Sequence, residues 1–197
     1  ERKVGIRKPK MPEPFAPKIM DLEKLKFPIG KFVKPEIISS NEIKTWIFEI
    51  ENFPFRIKSI TENLSAEELN WNYRPNGWTI KQVVHHCSDS HINAFLRTKL
   101  ALTEVLPVIK PYDEALWANL VDGNTDSISD SLLILHGIHA KWTSLLKSLN
   151  ESDLEREYYH PENNRNYKLN EVIGLYAWHC NHHLAHIEQA ILNKGQF

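Results

Sequence analysis

Cysteine is scarce in this sequence, where Cys87 and Cys180 are the only two among 197 residues. They form no CxxC pair, and each stands beside a histidine in a segment with helical apolar spacing, which excludes zinc-finger and thioredoxin-like classes. A structural disulfide is not expected. Cys87 lies on the apolar stripe of its segment, where a small buried hydrophobe is the usual role. This cysteine usage is typical of a reducing compartment, so the cytoplasm is the expected location.

The sequence also has no excess of charge of one sign. The 24 Lys and Arg residues oppose 25 Asp and Glu residues, which gives a formal net charge of -1. Because no basic face large enough to neutralise many phosphates is present, nucleic acid is not expected as a partner. No apolar run has the length of a membrane span and no signal-like segment opens the chain, so no membrane association is expected.

A basic, proline-rich segment opens the chain, and 6 of the 11 prolines fall within the first 35 residues. We expect residues 1–26 to form an extended arm, more typical of an appendage than of a nucleic-acid-binding tail, and its role stays unassigned. The length of 197 residues suits a single domain, which we place at residues 27–197. The apolar fraction of the whole chain, 42%, is that of an ordinary globular protein with a core.

Four segments of this domain have the apolar period of amphipathic helices. The first follows the capping box Ser39–Glu42, and Pro54 is expected to kink or interrupt it. The second follows the capping box Thr79–Gln82 and runs from about Ile80 to Leu102; the third and fourth span Ser127–Leu149 and Asn170–Asn193. Strand-like alternation is weak throughout. The expected fold is an all-α four-helix bundle with long connecting loops, the longest at Leu106–Asp126.

Four histidines occur within eight residues of the last helical segment. Winding the segment at roughly 100° per residue places His179 and His183 on its inward stripe, one turn apart. Such a pair can share a metal ion. His182 falls about a quarter turn away, and His186 falls off the edge of the stripe. We therefore expect these two at the surface or behind the ligands, where His186 can bond outward and orient a ligand.

The second helical segment offers a third ligand. His85, His86 and His91 all lie there. His91 is on the main apolar stripe and His86 is on a neighbouring flank of small side chains, whereas His85 faces the opposite way. Periodicity alone leaves the choice between His86 and His91 open. It also leaves open that these histidines are core residues that bind no metal.

Several co-linear motifs resemble the DinB-like family of metal-dependent four-helix-bundle proteins, and in particular its branch of metal-dependent hydrolases and bacillithiol S-transferases. The resemblance covers Phe27 to Asn193 and implies a metal site of His86, His179 and His183 at one end of the bundle. It also implies a zinc or nickel ion and a homodimer. The motifs are Phe27-Pro-Ile-Gly30, Gly77-Trp-Thr79, Gln82-Val-Val-His-His86, Asp89-Ser-His91, Leu102-Thr-Glu104, Pro111-Tyr-Asp-Glu114, His160-Pro161 and Tyr176-Ala-Trp-His179 with His183.

Three neutral imidazoles leave a divalent ion with its full charge and an open coordination position, which is typical of a catalytic site. One expected activity is thiol S-transfer, in which a low-molecular-weight thiol binds as thiolate and attacks an electrophile. Bacillithiol as that thiol is implied by the resemblance alone. The alternative is hydrolysis by metal-bound hydroxide. A third hypothesis is a non-catalytic metal-binding stress protein.

The sequence favours S-transfer over hydrolysis, because hydrolytic zinc sites use a carboxylate base and no HExxH pairing occurs. Four carboxylates are nevertheless candidates to fold toward the ion, namely Asp89, Glu104, Asp113 and Glu114. Arg74 and Arg97 are candidates to hold the acidic part of a thiol. The sequence assigns no catalytic residue.

Overall fold

The computed structural model describes residues 21–197. Its elements follow one another as α1 (Leu22–Lys26), α2 (Ser40–Thr61), α3 (Ala66–Leu69), α4 (Ile80–Thr103), α5 (Glu114–Trp117), α6 (Ser129–Lys147), α7 (Glu151–Leu154), β1 (Glu157–His160), β2 (Arg165–Lys168) and α8 (Leu169–Asn193). The four long helices are those expected from the apolar period. In this part of the chain no helix is long and apolar enough to cross a membrane.

The long helices form a four-helix bundle, as predicted. Helix α2 packs against α6 and α8, and α4 packs against the same two helices. Their inward faces close around one core, whose largest fully buried side chains include Phe53 and Trp142. Burial of such side chains is the main force that holds helices of this kind together. The two cysteines are free and buried in this core, as expected for Cys87.

Local signals predicted the helix starts well. Both expected capping boxes are present, with Glu42 donating its backbone N–H to Ser39 and Gln82 donating its backbone N–H to Thr79. These contacts satisfy backbone donors that have no partner within the helix. Helix α6 begins two residues later than predicted and ends two residues earlier.

Pro54 does not interrupt the first long helix, although an interruption or a kink was expected there. Helix α2 runs without a break from Ser40 to Thr61, and Pro54 is buried within it. A proline lacks the N–H that would bond to the carbonyl four residues earlier, which here belongs to Ile50. Packing of α2 against α6 and α8 holds the helix across this missing bond.

A small β-hairpin before α8 was not predicted. Strands β1 and β2 pair in antiparallel fashion, with Glu157 opposite Lys168 and His160 opposite Arg165. Asn164 adopts a left-handed conformation in the turn, with φ of 48°. Four residues per strand are too few for an alternation of polar and apolar side chains to be recognised.

The predicted extended arm covered residues 1–26, of which residues 1–20 lie outside the described part of the chain. The remaining portion contradicts the prediction, because Leu22–Lys26 form the short helix α1 with Asp21 as its N-cap. The carbonyls of Leu25 and Lys26 accept hydrogen bonds from Gln189 and His186 of α8. These tertiary contacts tie α1 to the bundle, so the domain begins before residue 27.

Candidate metal centre

Three histidine side chains meet where α4 packs against α8. The Nε2 atom of His179 lies 3.4 Å from Nε2 of His86 and 3.2 Å from Nε2 of His183. One nitrogen of each ring lies within 4.8 Å of the other two. The i, i+4 spacing on α8 places His179 and His183 on one face, and the packing of α4 against α8 brings in His86.

Two of the three nitrogen–nitrogen spacings fit ligands of one divalent ion. Zinc–imidazole bonds of 2.0–2.1 Å in a tetrahedral arrangement place ligand nitrogens about 3.3 Å apart. The two Nε2–Nε2 distances of 3.4 and 3.2 Å match that separation. Among residues 21–197 no carboxylate or cysteine joins the group. The site is therefore a three-nitrogen donor set of the kind that zinc or nickel accepts, with room for a further ligand.

Burial keeps these imidazoles neutral. Desolvation, together with a smaller effect of the nearby His182, lowers the pKa of His86 to about 4. The pKa values of His179 and His183 also lie well below the usual range, mainly through burial and then through the neighbouring histidines. Metal ligands must be in the neutral form with a lone pair available. The rings are thus in the protonation state that ligation needs at neutral pH.

His91 lies behind the cluster, and His85 lies away from it. Nε2 of His91 is 3.0 Å from Nδ1 of His179, the ring nitrogen that faces away from the other two histidines. His85 contacts Ser131 and the backbone carbonyl of Thr125. Of the two candidates on α4 that periodicity left open, His86 is the one whose ring nitrogen joins the cluster.

His182 and His186 are both buried, which excludes a surface position for either one. Nδ1 of His186 is 3.4 Å from Nδ1 of His183, and its Nε2 donates to the carbonyl of Lys26 at 2.9 Å. His186 therefore lies behind His183 and bonds outward. Of the two expected positions, at the surface or behind the ligands, it takes the second. The His182 ring stacks on Trp178, with centroids 4.4 Å apart. A helical wheel could not anticipate that α1 covers this side of α8.

The cluster opens into a cavity of about 490 Å³. Its aromatic walls are Phe27, Tyr73, Trp78 and Trp178, and its polar residues include Lys26, Arg74 and Glu114. The sequence did not predict these aromatic residues as walls of one cavity, although Phe27, Trp78 and Trp178 stand in the family motifs, because they come from three separate segments. Arg74, one of the two arginines considered for substrate binding, lines the cavity. Arg97 is not among the lining residues and donates to the carbonyl of Lys110.

Of the four candidate carboxylates, Glu114 lines the cavity. Its side chain is exposed, yet atoms of the wall desolvate it enough to raise its pKa, an effect that Arg97 partly offsets. Asp113 instead caps α5 by accepting from the backbone N–H of Leu116. Burial raises the pKa of Asp89 to about 6, but Asp89 does not line the cavity. Glu104 follows the end of α4 and is not a lining residue either.

Comparisons with known proteins agree with this fold. The family described as the DinB superfamily matches residues 51–187. The chain is 42% identical over 171 residues to "Putative metal-dependent hydrolase YfiT" of Bacillus subtilis, covering 87% of this chain and 96% of that protein. It is 48% identical over 169 residues to "Putative metal-dependent hydrolase OB0782" of Oceanobacillus iheyensis, covering 86% and 97% of the two chains.

A solved structure of the Bacillus subtilis relative superposes closely on this chain. The TM-score is 0.85 at 41% identity, and the match covers 87% of this chain and 98% of the other. That protein is described as "a probable metal-dependent hydrolase with an unusual four-helix bundle topology". The similarity extends over nearly the whole of each relative, so it concerns the complete bundle and not one shared helix pair.

Proposed function

The chain belongs to the DinB superfamily, and we propose that it is a metal-dependent enzyme whose divalent ion is held by His86, His179 and His183. One observation carries this proposal. Three neutral imidazole nitrogens lie within 4.8 Å of one another on the wall of a cavity. The names of the relatives support metal dependence. Zinc is the proposed ion and nickel the alternative, since both accept imidazole ligands.

A bound divalent ion at this position would act as a Lewis acid and would lower the pKa of a water or thiol that shares its open coordination position. The chain's own residues then decide the reaction. The cavity has the size of a small-molecule site, and its aromatic walls exclude water from part of a bound substrate. The proposed substrates are accordingly small molecules and not polymers.

Hydrolysis is the reaction that the cavity supports best. Glu114 lines the cavity, and its raised pKa makes it a better proton acceptor than an unperturbed carboxylate. In this reaction Glu114 takes a proton from the attacking water and passes it to the leaving group. The sequence favoured thiol transfer because no HExxH pairing occurs, and the place of the candidate carboxylate Glu114 on the cavity wall reverses that preference. The names of the relatives point the same way.

Thiol S-transfer is the second candidate, and the cations of the cavity favour it. Lys26 and Arg74 both line the cavity, where they can hold acidic groups of a low-molecular-weight thiol such as bacillithiol. The thiol loses its proton, its sulfur forms a bond to the electrophile, and a leaving group departs with the bonding electron pair. This reaction needs no carboxylate base. The homodimer implied by the family resemblance stays a prediction.

An activity screen with zinc-loaded protein tests both candidates. One panel contains esters and amides, and the other pairs a chlorodinitrobenzene-type electrophile with bacillithiol, glutathione or cysteine. Each reaction is repeated with protein whose metal has been removed by a chelator. The control variant is His136→Ala, which changes an exposed histidine outside the cluster. Turnover that needs metal and occurs in the first panel supports hydrolysis, whereas turnover with one thiol supports S-transfer. Tight metal binding with no turnover in either panel would favour a non-catalytic metal-binding protein.

A further inference from the structure

The carbonyl of Ile50 has lost its usual helical partner. In a regular helix it would accept the N–H of residue 54, but that residue is proline and has no N–H. The carbonyl instead accepts a hydrogen bond of 2.6 Å from Nδ1 of His139 on α6. Because a carbonyl oxygen can only accept, Nδ1 of His139 must carry the proton.

This assignment determines the protons of the next two histidines. A neutral imidazole has one N–H, so Nε2 of His139 is an acceptor, and Nδ1 of His91 donates to it at 2.7 Å. Nε2 of His91 is then an acceptor as well, and Nδ1 of His179 donates to it at 3.0 Å. His179 is thereby left with a bare Nε2, the atom that faces His86 and His183.

The chain of hydrogen bonds is buried and contains no charged partner. His91 is 0% exposed and His139 is 1% exposed, and both rings pack against Phe53. Burial lowers the pKa of His139 to about 4, and the ring of His91 is enclosed as completely, with no charged group beside it. Both rings are thus neutral at pH 7, as the proton assignment requires. Each of the four long helices contributes one member, in the order α2, α6, α4 and α8.

We propose that Pro54, His139 and His91 are positioning residues that hold His179 in the Nδ1–H tautomer, with Nε2 bare and directed into the metal centre. Pro54 acts by leaving the carbonyl of Ile50 free to accept the first hydrogen bond of this series. The part that concerns the ion rests on the proposed function, whereas the tautomer itself does not. In the other tautomer a proton on Nε2 would point at the two neighbouring imidazoles and would block ligation.

The tautomers can be read directly in the metal-free protein. Long-range ¹H–¹⁵N spectra of histidine-labelled chain at pH 7.5 distinguish a protonated ring nitrogen from a bare one. His139, His91 and His179 are each expected to carry their single proton on Nδ1. A proton on Nε2 of His179, or averaged signals that indicate exchange between tautomers, would overturn the proposal whether or not the protein binds a metal.

A variant pair tests the effect on the ion. His139→Phe keeps an aromatic ring of similar size and removes both nitrogens, so Nδ1 of His91 loses its acceptor. The matched control is His85→Phe. His85 is also buried and also makes two hydrogen bonds, but neither of them is to a histidine of the cluster. We expect zinc binding about 10- to 100-fold weaker in His139→Phe, the range typical of residues that orient ligands, and unchanged binding in the control.

The outcomes separate this proposal from the proposed function. Equal weakening in both variants would show a general packing effect and would refute the positioning role. If parent protein with the expected tautomers does not bind zinc, the proposed function fails while the tautomer assignment stands. If His139→Phe does not fold, the spectra of the parent protein still decide the matter.

Discussion

The backbone carbonyl of Ile50 and Nδ1 of His139 are joined by a hydrogen bond of 2.6 Å at the turn of α2 where Pro54 has no N–H. A helix-interior proline usually costs stability because it removes a backbone bond. Here the freed acceptor is used by a side chain of another helix. The defect in α2 is therefore the starting point of the hydrogen-bond chain that reaches His179.

Restoring the missing N–H is expected to weaken this bond. In Pro54→Ala the new N–H competes for the carbonyl of Ile50, so the Nδ1 proton of His139 should shift upfield and exchange faster in NMR spectra. Alanine is about 3 kcal/mol more favourable than proline in a helix interior, so the substitution should strengthen α2. A loss of zinc affinity in this variant could therefore not be attributed to a less stable helix. Pro161→Ala, in the exposed hairpin turn, is the control. An unchanged His139 resonance would contradict the role given to Pro54.

Each proposed ligand should be needed for metal binding. His86→Ala, His179→Ala and His183→Ala are each expected to weaken zinc binding by more than about 100-fold, which exceeds the usual effect of an orienting residue. Competition with a chromogenic chelator measures the dissociation constants. His136→Ala, an exposed histidine on α6, should bind as the parent does. A ligand variant with parental affinity would remove that residue from the set.

Glu114→Gln distinguishes the two reactions. If Glu114 is the base for hydrolysis, kcat should fall by about 10²- to 10⁴-fold with little change in zinc content. Thiol transfer needs no base and should keep its rate in the same variant. Glu104→Gln, an exposed carboxylate outside the cavity, serves as the control. A hydrolytic kcat that is unaffected by Glu114→Gln would show that another group accepts the proton.

The metal-free protein should lose stability as the pH falls below about 6.5. A histidine takes up a proton in the unfolded chain near that pH, whereas burial lowers the pKa of His139 to about 4 in the folded chain. The unfolded state therefore binds more protons between these values, and His139 alone would cost about 3 kcal/mol of stability by pH 4. Urea unfolding at several pH values with a chelator present measures this slope.

The slope should be smaller in His139→Phe, which has no ionisable group at this position. Comparison of the two proteins at the same pH isolates the contribution of this ring from that of the other buried histidines. Parallel pH profiles for parent and variant would show that His139 is not held neutral in the folded state.

Removal of the ion should leave the fold intact. The bundle has a packed apolar core contributed by all four long helices, so chelation is expected to leave the helical circular dichroism unchanged. The melting temperature should fall, because an ion at 100 times its dissociation constant adds about 2.7 kcal/mol of stability. Loss of helical signal on chelation would show instead that the ion has a structural role.

Much of the fold was predictable because the responsible interactions are local. Apolar spacing and the capping boxes at Ser39 and Thr79 depend on residues within one turn of each other, and they predicted the long helices closely. The hairpin was missed because its strands are too short for a periodic signal. Pro54 does not interrupt α2, since packing between helices outweighed a local preference.

The sequence by itself determined the bundle and the angular position of each histidine on its helix, because side-chain direction follows from 3.6 residues per turn. Periodicity does not determine which turn of one helix packs against which turn of another. The family resemblance named His86 together with His179 and His183, but only the tertiary structure shows their rings meeting while His91 stands behind them. It also decided that a carbonyl on α2 meets a histidine 89 residues later in the chain. Such contacts depend on the register between packed helices, which the local sequence does not encode.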